Sequence, residues 1–129
     1  MNGGKPIQMI LARQLASCVA MPILLVDAQG NLVFYNEPAE SIFNQRFEET
    51  GEVSAEELVA LVELADEQRR PIPPDERPTV FVRRERRPVS RTLWMRSAHT
   101  DWKHVHVTVL PLVGEGRMLL GVMHIFWEI

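Results

Sequence analysis

Four histidines, one cysteine and a group of arginines are the residues of this chain best equipped for chemistry. His104 and His106 stand two apart, so on a β-strand both fall on one face. Two imidazoles could begin a metal site, but two ligands do not complete one, and a pair of half-exposed polar side chains is the plainer reading. A histidine at a subunit surface would instead act as a pH-sensitive contact. His99 and His124 fall elsewhere in strands or turns. Cys18 has no positive neighbour to favour its thiolate, so it is expected to pack as a small hydrophobe. Ser41, Ser90 and Ser97 lack a Gly-x-Ser-x-Gly frame, and the chain has no glycine-rich phosphate loop. Glu48 and Glu49, like Glu56 and Glu57, sit in polar segments that leave them solvated rather than tuned. No catalytic set emerges, and an enzyme is not expected.

The arginines Arg69, Arg70, Arg83, Arg84, Arg86 and Arg87 cluster in sequence. They would serve as an anion or nucleic-acid patch, or as a solvated face balanced by Glu76 and Glu85. A net charge of −3 and the lack of interleaved aromatic residues favour the solvated face, so nucleic acid is not expected as a partner.

These residues need a scaffold. With 129 residues, 46% of them apolar, the chain fits one soluble domain around one core. No apolar run reaches the ~18–20 residues of a membrane-spanning helix, so no membrane insertion is expected. A single cysteine excludes an internal disulfide and is compatible with the cytoplasm, the expected location. Residues 1–6, MNGGKP, read as a flexible lead-in. Residues 7–20 read as an amphipathic helix, with Ile7, Ile10, Leu11, Leu15, Cys18 and Val19 on its apolar face. Pro22 ends it. PILLVD and LVFY, joined by AQGN, read as a β-hairpin with apolar residues on both faces. Asn36 is an N-cap that turns the chain from strand to helix at once, with Pro38 and Glu37 suited to the first turn. Ser54 and Glu57 form a capping box for a helix whose stripe is Leu58, Leu61, Val62 and Ala65. A short helix is expected over residues 78–87. RTLWMR, KHVHVTVLPLV and MLLGVMHIFWEI are the last strands. The expected fold class is α+β: a five-stranded antiparallel sheet with short helices on one face, preceded by the amphipathic helix over residues 7–20.

The order of these pieces resembles the PAS domain family over residues 21–129. ILLVDAQGNLVFYNEPAESIF resembles the family's opening hairpin and the Asn-x-x-Ala start of its first inner helix. DERPTVFVRRERRPV resembles the later helix leading into the third strand, and VTVLPLVGEGRMLLGVMHIF its last two strands. Asn44 stands where many members have Gly, and the ending Trp127, Glu128, Ile129 replaces a common Asp-Ile-Thr. Many members continue from this point into an output domain, so the chain is a stand-alone sensor or an excised module.

The resemblance implies a sensory, signal-transducing module with a pocket between sheet and inner helices. Matched to the family pattern, Leu24, Val26, Val33, Tyr35, Val105, Val107, Val109, Leu119 and Met123 would face inward. Ile42, Phe43, Leu58, Leu61 and Phe81 would close the lid. Such a lining suits an unidentified small apolar molecule, although a filled core without a cavity fits the same residues. Flavin is disfavoured: Cys18 lies ahead of the first strand, and Val105 and Met123 occupy the positions of the amide side chains that flavin-binding members use. Haem is disfavoured because residues 67–87 contain no histidine. Ile7, Ile10, Leu11, Leu15 and Cys18 are the expected interface of a homodimer, which would act on an output domain or signalling protein. A structural dimerisation adaptor and, further off, a small enzyme on a curved sheet are the alternatives.

Overall fold

The computed structural model describes residues 6–98 and 100–129, so the lead-in apart from Pro6, and His99, lie outside the described residues. In chain order the elements are α1 (Ile7–Ala16), β1 (Ile23–Asp27), β2 (Leu32–Tyr35), α2 (Glu40–Phe43), α3 (Phe47–Thr50), α4 (Ala55–Leu61), β3 (Val62–Ala65), α5 (Pro78–Glu85), β4 (Val89–Ser97), β5 (Lys103–Val113) and β6 (Leu119–Glu128). The strands form one sheet in the order β2-β1-β6-β5-β4-β3, with every neighbouring pair antiparallel. One face carries α2, α4 and α5, and the other carries α1.

The sheet has six strands, not five. The stripe Leu58, Leu61, Val62, Ala65 fits a helix, but the helix ends at Leu61, and Val62 takes extended angles (φ −119°, ψ 122°). Val62–Ala65 then pairs with Trp94–Ser97 of β4. Val62 and Leu64 satisfy a period of two as well as the helical one, and the free edge of β4 supplies the hydrogen bonds that settle the choice.

Both sheet edges meet returning chain. At β2, Leu32 and Val53 exchange backbone hydrogen bonds of 2.8 and 3.0 Å. At β3, Ala65 bridges Pro71, and Ile72 N–H donates to the Leu64 carbonyl at 2.9 Å.

Two layers of core result. The inner one joins Leu24, Val26, Tyr35, Ile42, Phe43, Val82, Leu93, Val107 and Phe126. The outer one joins Met9, Ala12 and Ala16 of α1 to Ile23, Leu25, Val33, Phe34 and Met123. The first helix therefore buries its small side and leaves Ile7, Ile10, Leu11 and Leu15 65%, 45%, 56% and 61% exposed. It also stops at Ala16, short of residue 20, with Ser17 as C-cap. Helical phase is lost there, and Cys18, expected on the apolar face, is exposed in the following turn.

Asn36 fastens this junction. Its Oδ1 accepts from Ala39 N–H at 3.2 Å, as an N-cap should, and from Ile23 N–H at 3.0 Å. Its Nδ2 donates to the Ala16 and Met21 carbonyls, both at 2.9 Å, and to Val19 at 3.4 Å. Asn44, where a glycine was the usual residue, takes φ 56° and closes α2 in the left-handed region that asparagine tolerates.

At Gly121 the Met9 side chain of α1 packs directly on β6. A Cβ there would sit 2.5 Å from the Val26 carbonyl oxygen and 2.8 Å from Met9 Cε. Backbone cannot yield as a side chain can, so Gly121→Val should strain the pairing of β6 with β1 and destabilise by about 1–3 kcal/mol. Urea unfolding of the two proteins measures it.

Candidate functional site

Between the sheet and the helical layer lies a cavity of about 70 Å³. Strand alternation supplies its floor: Leu24 and Val26 from β1, Leu93 and Met95 from β4, Val107 and Val109 from β5, His124 and Phe126 from β6. Ile42, Leu58, Val62, Leu64, Arg77, Pro78 and Thr79 complete the walls.

Of the residues expected to face a pocket, Leu24, Val26, Ile42, Leu58, Val107 and Val109 do line it. Tyr35, Phe43, Leu61, Phe81 and Val105 belong to the surrounding inner core instead. Tyr35 stacks on Phe43 with ring centroids 4.4 Å apart. Its hydroxyl donates to the Gln45 carbonyl at 2.8 Å and lies 2.7 Å from Thr50 Oγ1. Burial raises its pKa. Its polar tip is engaged by the α2–α3 region and not by the cavity.

Val33, Met123 and Leu119 depart from expectation. Val26 pairs with Leu32 while Leu25 pairs with Phe34, so Val33 is the extra residue of a β-bulge. The bulge resets the alternation and turns Val33 toward α1. On β6 the inward set is Val122, His124 and Phe126, and Met123 faces α1. Both faces of β6 are apolar, so its pattern alone does not fix the phase. Leu119 lies before a register shift at Leu112/Val113 and lines a separate open groove beside Arg83, Arg84 and Arg86.

Sequence reasoning missed the cavity's polar groups. His124 is buried, with Nε2 2.5 Å from Thr79 Oγ1 and Nδ1 3.4 Å from the Leu24 carbonyl. A carbonyl only accepts, so Nδ1 carries the proton and Nε2 accepts from the Thr79 hydroxyl. Burial pushes the imidazole down from 6.5 to about 4, so it is neutral at pH 7. Arg77 is the second missed group. Its Nη2 donates to the Val62 carbonyl at 2.6 Å and the Val59 carbonyl at 3.4 Å, capping the end of α4. Its Nε is buried and makes no hydrogen bond. Burial lowers its pKa. The faint signals were a histidine inside an apolar strand and an arginine directly before a helix-starting proline.

His104 and His106 lie on the outer sheet face. His104 stacks on Trp94 at 4.4 Å and meets Glu67 Oε1 at 2.6 Å. His106 meets Thr92 Oγ1 at 3.1 Å and packs against Trp127. No cluster of three or more potential ligands exists among the described residues. A neutral histidine, a hydroxyl and an apolar wall can bind and orient a small molecule.

No protein-family profile and no curated protein matches the chain. Solved structures do match. The PAS domain of BvgS from Bordetella pertussis aligns with a TM-score of 0.63 at 16% identity, covering 95% of this chain and 85% of that one. The PAS domain of nitrogen regulation protein NR(II) from Vibrio parahaemolyticus aligns with a TM-score of 0.63 at 15% identity, covering 92% and 98%. A LOV protein from Rhodobacter sphaeroides aligns with a TM-score of 0.67 at 15% identity, covering 96% and 68%. At such identities the likeness is one of architecture, and it agrees with the strand order and the helical layer described above: this chain has the PAS fold.

Proposed function

We propose that the protein is a sensory, signal-transducing module that dimerises and binds a small apolar ligand to regulate an output partner. The observation that carries this reading is the mostly apolar cavity between the sheet and the layer of α4 and α5. Signalling would follow from population shift: a ligand that fits one packing of the helical layer better than another biases how the dimer is presented. The exposed row Ile7, Leu11 and Leu15 supports a homodimer built through α1, since such a row gains by leaving water. Apolar strand faces around a neutral histidine support an uncharged or weakly polar tail over a flavin or haem. The cavity's small volume, about 70 Å³, favours one second reading, a dimerisation adaptor whose core is nearly full.

Native mass spectrometry of freshly purified protein, set against its denatured mass, tests the first reading. Extra mass on the native species supports a sensor. A ligand-free species that also shows no thermal shift with small apolar probes supports the adaptor. Leu15→Asp should convert the dimer to monomer by light scattering. An unchanged oligomeric state would remove α1 from the interface.

A further inference from the structure

Two side chains are shared between the cavity and a groove at the surface. Leu64 and Arg77 line the cavity, and the same two line an open groove on their other side, with Glu63, Arg69, Ile72 and Trp102. They form the wall between cavity and groove. Arg77 is an expensive choice for that place, because a half-buried guanidinium needs every donor satisfied. Its Nη2 is used on α4, yet its Nε–H has no acceptor. Among the described residues no carboxylate forms an ion pair with it. The groove adds a second guanidinium, Arg69, which lies 3.6 Å over the Trp94 ring. Its single carboxylate, Glu63, is already bonded to Arg96 at 2.7 Å. The approach to Arg77 is therefore positive and lacks an anion, while the space behind it is apolar.

We propose that cavity and groove together form one site for a small monocarboxylic acid with a short aliphatic tail. The carboxylate takes the buried, unpartnered Nε–H of Arg77, which a small turn of the side chain brings to the cavity–groove wall, and the tail passes Leu64 into the cavity. Size limits the tail: an apolar cavity of about 150 Å³ accepts benzene, and this one offers about 70 Å³. An acid of four or so carbons matches that space, and its charge remains at the groove where Arg69 also acts on it. This inference rests on reading the inner cavity as a ligand pocket.

Titration of the 129-residue chain with butyrate and with butyramide, followed by NMR, tests it. The two probes share a tail and differ in charge. Butyrate should saturably shift the resonances of Leu64, Thr79 and His124, with affinity about tenfold or more above that of butyramide. Arg77→Lys keeps a cation and removes Nε, and should lose that preference. Leu64→Trp, which plugs the passage while leaving Arg77 in place, should abolish the shifts. Equal binding of acid and amide would overturn the carboxylate anchor, and so would binding of neither. Xenon then separates the two ideas, since it needs space and no guanidinium: shifts under xenon with no butyrate preference leave the pocket standing, and no shift removes the pocket as well.

Discussion

Asn36→Ala should be among the most destabilising single substitutions in this protein, lowering stability by about 3–5 kcal/mol and shifting the urea midpoint accordingly. Asn36 is 2% exposed and joins two amide hydrogens and three carbonyls. Alanine takes the amide away from the Ile23 N–H and from the Val19 and Met21 carbonyls, and leaves the Ala39 N–H and the Ala16 carbonyl with only their backbone partners at 3.0 and 3.3 Å. Asn36→Asp is the sharper test. It keeps the acceptor toward Ile23 and Ala39 but points a second oxygen at the Ala16 and Met21 carbonyls. The aspartate should therefore be at least as damaging as alanine at pH 7. If it matches wild type, the Nδ2 contacts to the end of α1 contribute nothing.

The second large effect is an acid limb in the stability curve, set by His124. In the unfolded chain its imidazole takes up a proton below about 6.5, whereas in the folded protein burial delays this to about 4. Between those values the unfolded state binds more protons, so acidification favours unfolding. The contribution is fully present above about pH 6.5 and falls progressively below it, and the loss reaches about 3 kcal/mol by pH 4. His124→Gln keeps an acceptor for the Thr79 hydroxyl and has nothing to titrate. The difference between the two unfolding free energies, measured from pH 7 to pH 4, should change by about that amount. A constant difference would mean that His124 takes up its proton equally in the folded and unfolded chain, so that burial does not shift it. Carboxylates titrating in the same range act on both proteins and cancel.

How far the sequence revealed this molecule depends on the kind of signal. Gly30 in AQGN, the cap at Asn36 and the clean alternation of Val105, Val107 and Val109 are local features, and each stands where it was expected. β3 was hidden because Leu58, Leu61, Val62 and Ala65 satisfy two periods at once, and only the neighbouring strand decides between them. Leu93 and Met95 line the cavity but were not among the residues expected there, although they alternate with Trp94 and Arg96. Val33 and Met123 were not legible, because a bulge and a doubly apolar strand leave the phase to tertiary contacts. The cavity's chemistry was hidden most deeply. Thr79 and His124 are 45 residues apart, and Arg77 reaches the end of a helix 15 residues earlier. Such pairings are products of the fold and have no local pattern.

The covered edges of the sheet restrict how the protein can assemble. Val53 occupies part of the flank of β2, and the Pro71–Ile72 return occupies that of β3. A strand from another chain would find the hydrogen-bonding rows at both ends already taken for part of their short length. Growth by strand addition is thereby blocked, whether by a peptide extending the sheet or by copies stacking into fibrils. Association is left to the broad surfaces, through side chains and not main chain. Such contacts can be remade at little cost when a core rearranges, whereas a continuous ladder of main-chain bonds would lock two copies in one register.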